Sequence, residues 1–281
     1  MSTIPSLAVL GDVVAAYQAG TAGDAEAAKS CCAVVYGIDL VGLFLGESYH
    51  PGGVELTRRL AELLALEADH HVLDVASGVG TTAVLLAAER RACVVGIDLG
   101  AAQVARAATR ATAAGVADRV RFEVGDAERL PFDDGTFDVL VSECAFCTFP
   151  DKPTAAREAA RVLRPGGRLG LTDVWLHPDR LEPDLSNIAG RIACIADARP
   201  IPEVRALLEA AGLRVDHVER HDDVLAATVE LVATRLRALR LLDLPLLRSF
   251  DLRRAIDITR SVGDVVARGD AGYLALVATK P

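Results

Sequence analysis

VLDVASGVGTTA, residues 72–83, reads as an apolar strand that runs into a glycine-bearing turn and then a helix. Gly78 and Gly80 sit at the turn, so backbone can approach a ligand closely and the helix N-terminus faces it. Asp98 closes the next apolar run eighteen residues after Gly80, where a carboxylate can accept both hydroxyls of a ribose. The turn also fits the dinucleotide fingerprint GxGxxA through Ala83, so a nicotinamide enzyme competes at this point.

Outward from this turn, strands and helices alternate. HVLDVAS, a helix over Thr81–Arg90, ACVVGIDL, a helix over Ala101–Ala114, RVRFEVGD and FDVLVSE follow in order. A helix over Pro153–Leu163 is expected to stop at RPGG (164–167), glycine supplying a left-handed cap, before the strand RLGLTDVW. This alternation predicts a parallel sheet covered on both faces. Ile201–Ala211 is amphipathic and LRVDHVE reads as a sixth strand. Leu225, Val229, Val232, Leu236 and Leu239 then mark one face of a long helix that Pro245 ends. These residues belong to a helical insertion over about 222–268, and GYLALVATK (272–280) completes the sheet. Residues 1–66 read as an N-terminal helical cap on the core of 67–281, with an irregular connection, YGIDLVGLFLGESYHPGG (36–53), able to close over a ligand.

Composition narrows the partners. Thirty Lys and Arg against 39 Asp and Glu give a formal charge of −9, and no basic cluster exceeds a pair, which argues against nucleic acid. No signal-peptide pattern and no long apolar run points to export or a membrane, so the expectation is a cytoplasmic protein with a small-molecule partner. The six cysteines (Cys31, Cys32, Cys93, Cys144, Cys147, Cys194) are then expected to be free thiols.

Three further features favour a methyl donor over a dinucleotide. Asp74 lies four residues before Gly78, Asp126 in GDAERLPF ends the third strand, and RPGG with its strand follows FDVLVSE. Together, from Val72 to Trp175, these motifs resemble the class I methyltransferases. The resemblance implies a Rossmann-like α/β fold, a seven-stranded, mostly parallel sheet with its last strand antiparallel, and S-adenosylmethionine as cofactor. The cofactor set it implies is Asp74, Ala76, Ser77, Gly78, Gly80, Asp98, Leu99, Gln103, Asp126, Ala127 and Glu143, with Tyr36 and His50 as contacts from the preceding loop. Ala76 departs from the family's usual glycine.

Methyl transfer from a sulfonium is an in-line displacement, and a hydroxyl or ammonium acceptor needs a base. His50, Glu143 and His177 are the candidates. The cysteines offer another chemistry. Cys144 follows the fourth strand, Cys194 the fifth, and Cys31 and Cys32 lie in the cap, so three thiolates can converge on a trivalent metalloid. KSCC (29–32), SECAFCTFPDKPTAAREAARVLRPGG (142–167) and RIACIADARPIPEVRALLEAAG (191–212) resemble the bacterial arsenite methyltransferases. That likeness implies Cys144, Cys194 and one of Cys31 and Cys32 as ligands of a thiol-bound arsenical such as arsenite. Glu143 stands where asparagine is expected and Cys147 is an extra thiol, while Cys93 is expected to pack within a strand. The alternatives are C-, N- or O-methylation of an organic metabolite with the cysteines packing, and a cofactor-binding regulator without turnover.

Overall fold

The computed structural model describes Lys29 and residues 48–180, 194–242 and 251–281. Cys31, Cys32 and Tyr36, and most of the expected cap, lie outside these residues. The elements are α1 (Gly53–Leu63), β1 (His71–Val75), α2 (Thr81–Arg90), β2 (Cys93–Asp98), α3 (Ala101–Ala113), β3 (Val120–Val124), β4 (Phe137–Glu143), α4 (Lys152–Val162), β5 (Leu163–Leu176), α5 (Ile201–Ala210), β6 (Arg214–Arg220), α6 (Asp222–Leu241), α7 (Leu252–Ala267) and β7 (Ala271–Thr279).

The seven strands form one sheet in the order β3-β2-β1-β4-β5-β7-β6. β1 to β5 are parallel, and β7 runs antiparallel to both β5 and β6. In β1 every residue after His71 is buried because both faces are covered, so the strand reads as a continuous apolar run broken only by Asp74. Val72 and Val94 turn to one face, where Leu60, Leu86 and Ala111 of α1, α2 and α3 pack. Leu73 and Leu140 turn to the other, against Ala156 of α4 and Leu208 of α5.

Two boundaries differ from the sequence expectation. α4 ends at Val162, and Leu163 is already extended because it pairs with Phe137 of β4. The left-handed Gly166 (φ +79°) therefore caps no helix; it lies within β5 and its N–H donates to the Lys280 carbonyl. α6 ends at Leu241, short of Pro245, which lies outside the described residues.

α6 and α7 form the insertion between β6 and β7. They cover the far end of the sheet through a third apolar cluster in which Leu225, Val262 and Val265 meet Val174, Leu176 and Tyr273. Asp151 and Asp251 cap α4 and α7 by accepting the backbone N–H groups of Thr154 and Arg254. Among the described residues no helix is long and apolar enough to cross a membrane.

Candidate active site

The C-terminal ends of β1 to β4 open into a cavity, the usual ligand position of an open α/β sheet. Ala76, Gly78, Asp98, Leu99, Gln103, Asp126, Ala127 and Glu143 line it, together with Lys29, Tyr49 and Cys144. Eight of the residues expected around a cofactor are thus brought together.

Asp98 is fixed from behind. Its Oδ2 accepts the Gly78 N–H (2.9 Å) and its Oδ1 the Gly100 N–H (2.8 Å), leaving lone pairs on both oxygens. Burial raises its pKa and these two donors pull it back. Gly78 (φ +53°) faces open space: an added Cβ would meet nothing within 4 Å. Ala76 occupies the left-handed region too (φ 60°), which is why glycine is the more comfortable residue there.

Gly80, Ser77 and Asp74 are not among the residues that line this cavity. Gly80 (φ +78°) serves packing, since a Cβ would lie 2.7 Å from the Phe122 ring and 2.8 Å from the Ala107 Cβ. Asp74 is buried behind the turn, its pKa raised well above the usual carboxylate value by burial and then by Glu143. Asp74 Oδ2 and Ser77 Oγ are buried without a hydrogen-bond partner among the described residues. Asp126 accepts Lys29 Nζ on Oδ2 (2.8 Å) and the Glu128 N–H on Oδ1 (2.9 Å), so Lys29 narrows this side of the cavity. The sequence reading did not single out Lys29, although it stands beside the cysteine pair.

Glu143 closes β4 and is held by hydroxyls from three elements. Its Oε2 accepts from Thr57 (2.9 Å) and Thr82 (2.5 Å), and its Oε1 from Thr172 (3.4 Å), whose hydroxyl is 3.2 Å from that of Tyr273. His50 Nε2 lies 3.5 Å from the same Oε2, and His50 Nδ1 lies 3.2 Å from the Pro51 carbonyl. His50 does not face the first cavity; it lines a second one.

This second cavity holds about 490 Å³. Its walls are mainly apolar, with Val174, Ile195, Leu225, Val229, Val232 and Val262. Ser48, His50, Thr228, Thr259 and Arg235 supply its polar points. Tyr49 and Cys144 line both cavities, so the two adjoin at the end of β4. His177 lines neither; it follows β5, donates its N–H to the Asp270 carbonyl and stacks edgewise on Trp175.

Three of the four described cysteines converge. Cys144 (φ 54°) and Cys194 (φ 60°) both hold strained left-handed backbone, and Cys194 Sγ donates to the Cys144 carbonyl at 3.7 Å. A short 3-10 turn over Phe146–Thr148 brings Cys147 to the same point, where its N–H donates to Asp173 Oδ2 (2.7 Å). The bond with Cys147 draws the Cys144 thiol down, but a bond with Cys194 and burial outweigh it and raise the thiol well above its usual range. Burial and bonds to both neighbours raise Cys147 likewise. Burial also pushes the Asp173 carboxyl up to about 7. Among the described residues no group of three ligands is arranged to hold a metal ion. Cys93 sits apart on β2, partly exposed.

The methyltransferase domain family matches residues 73–171 of the chain. The 27-O-demethylrifamycin SV methyltransferase of Amycolatopsis mediterranei is 33% identical over 257 residues, covering 86% of this chain and 93% of that protein. An arsenite methyltransferase of Halobacterium salinarum is 31% identical over 157 residues, covering 54% of this chain and 39% of that one. Phosphoethanolamine N-methyltransferase 2 of Haemonchus contortus, solved with S-adenosyl-L-methionine, shares the fold. Its TM-score is 0.72 at 19% identity, over 89% of this chain and 57% of that one.

Proposed function

The chain belongs to the class I S-adenosylmethionine-dependent methyltransferases, and on that footing we propose that it methylates a hydroxyl group on a bulky, largely apolar organic molecule. The observation that carries this reading is the second cavity: about 490 Å³, apolar, adjoining the β-strand ends and bearing a buried histidine backed by a carboxylate. That volume suits a drug-sized organic ligand.

The residues of the first cavity fit the methyl donor. Asp98 would take the ribose hydroxyls on its free lone pairs, and the open space over Gly78 would admit the nucleoside against backbone. Asp74, buried with an unpaired oxygen, would balance the ammonium, whose charge would draw that carboxyl back to its ionised form. Asp126 retains lone pairs for the adenine amino group beside Lys29. S-adenosylmethionine supplies an electrophilic methyl on a sulfonium.

His50 does the proton work. The Pro51 carbonyl only accepts, so its contact puts the proton on His50 Nδ1, and Nε2, beside the Thr57 hydroxyl (3.4 Å) and Glu143, would take the hydroxyl proton as the new C–O bond forms and the methyl leaves the sulfonium. The imidazolium so formed meets Glu143 on one side and the Pro51 carbonyl, 3.2 Å from Nδ1, on the other. The positive charge lost from the sulfonium reappears on His50, so the site changes little in net charge.

Methylation of a thiol-bound arsenical is the second reading. The convergence of Cys144, Cys147 and Cys194, of which Cys144 and Cys194 line the acceptor cavity, supports it. Against it stands the 490 Å³ of apolar space that a single arsenic atom leaves unused. The test is incubation with S-adenosylmethionine and either 27-O-demethylrifamycin SV, the acceptor in the relative's name, or arsenite with glutathione, with products read by mass spectrometry. A methyl ether supports the first reading and methylarsenic the second.

A further inference from the structure

The acceptor cavity is long and has different chemistry at its two ends. Leu225, Thr228, Val229, Val232 and Arg235 line it from α6 at spacings of three and four, one stripe of a straight helix. The loop carrying His50 is pinned to the first turn of that helix: a Cβ on Gly52 would stand 3.0 Å from Val224 Cγ1. Ten residues separate Leu225 from Arg235, a rise of about 15 Å at 1.5 Å per residue. His50 therefore marks one end and Arg235 the other, with valines, leucine and isoleucine between.

Both ends carry hydrogen-bonding capacity. Near His50, Ser48 Oγ is buried in the cavity wall without a partner among the described residues. At the far end Arg235 is half-buried, and Leu231, 45% exposed, marks where the cavity meets solvent. A guanidinium has five N–H donors in a fixed fork, so it can take a carboxylate in addition to its contacts within the protein.

Resting on the hydroxyl-methylating reading of this same cavity, we infer that the acceptor is an elongated amphipathic molecule: a hydroxyl at the His50 end, an apolar middle, and a carboxylate-like anionic group read by Arg235. Arg235 is then a specificity-determining residue that takes no part in the chemistry.

The test uses decanoate and decan-1-ol as paired probes of equal chain length, with binding measured by calorimetry on the full chain. The unaltered protein should bind decanoate about tenfold or more tighter than decan-1-ol, by the strength of a charge-assisted hydrogen bond. Arg235→Leu should abolish that preference, and Arg235→Lys should keep part of it and lose it as salt rises. Thermal unfolding of each variant checks that the fold is kept. Equal binding of the two probes by the unaltered protein, binding of neither, or an unchanged preference in folded Arg235→Leu would overturn the inference. The binding preference does not depend on turnover, so failure of hydroxyl methylation in the separate product assay would count against the function and not against Arg235.

Discussion

His50 Nε2 lies 3.5 Å from Glu143 Oε2, and the two side chains are 7% and 3% exposed. The pair is 93 residues apart in sequence and joins the wall of the second cavity to the wall of the first. Glu143 also collects hydroxyls from Thr57, Thr82 and Thr172, so its orientation is set before any ligand arrives. The Pro51 carbonyl ties down Nδ1, and Nε2, beside Glu143 and the Thr57 hydroxyl, is the nitrogen that can take a proton.

His50→Ala should lower kcat by about 10²- to 10⁴-fold, the usual contribution of a positioned base, with S-adenosylmethionine affinity nearly unchanged. Single-turnover kinetics with calorimetry for the donor would measure both. A full rate in a folded variant removes the base and points to an acceptor nucleophilic enough to need none.

Asp98→Ala should weaken donor binding by about 1–3 kcal/mol, because ribose hydroxyls lose a charged acceptor in a mostly buried site. It also frees the Gly78 and Gly100 N–H groups, so some loss of thermal stability should accompany it. Unaltered donor affinity would take Asp98 out of the site.

Two neighbouring glycines should fail in different ways. Gly80→Ala drives a methyl into Phe122 and Ala107 at a left-handed position and should destabilise the fold by about 1–3 kcal/mol. Gly78→Ala meets no protein atom within 4 Å, so it should cost about 1–2 kcal/mol of backbone strain while pushing a methyl toward the donor. Thermal melts with and without S-adenosylmethionine separate the two effects. Equal loss of donor binding in both variants would refute the division of roles.

Much of this was legible in the sequence, and the parts that were not have physical causes. β1, β2 and β4 are buried on both faces over most of their length, so each is mainly an apolar run, and the glycine turn after β1 fixes where the sheet meets its ligand. The antiparallel last strand follows from the family likeness, whereas its insertion between β5 and β6 is a non-local pairing that no local pattern reveals. The true use of Gly80 needed the position of Phe122, a partner on β3 that no local pattern reveals. The His50–Glu143 pair joins a pre-core loop to a strand end, and the sequence offered both residues as candidates without their contact. Cys147 reaches Cys144 because a 3-10 turn returns the chain after three residues, a geometry that composition does not encode.

The buried carboxyl of Asp173 should leave a signature in the pH dependence of stability. Its folded pKa is about 7, raised from 3.8, so the folded chain holds a proton that the unfolded chain releases. The stability from that proton is complete below pH 3.8 and is lost as pH rises through 7. Between pH 5 and 8 the protein should lose on the order of a few kcal/mol through this group, and Asp173→Asn should flatten that part of the curve. Denaturant melts across this window measure it. A curve that is the same in the two proteins would mean that Asp173 stays ionised throughout.

The most direct test of the central claim is product analysis after incubation with S-adenosylmethionine. One arm holds 27-O-demethylrifamycin SV, the acceptor in the relative's name, and the other holds arsenite with excess glutathione. Mass spectrometry follows both products and S-adenosylhomocysteine. The account predicts a single methyl on an oxygen of an organic acceptor, formed in step with S-adenosylhomocysteine and lost in His50→Ala. Methylated arsenic with no S-adenosylhomocysteine from any organic acceptor would contradict it.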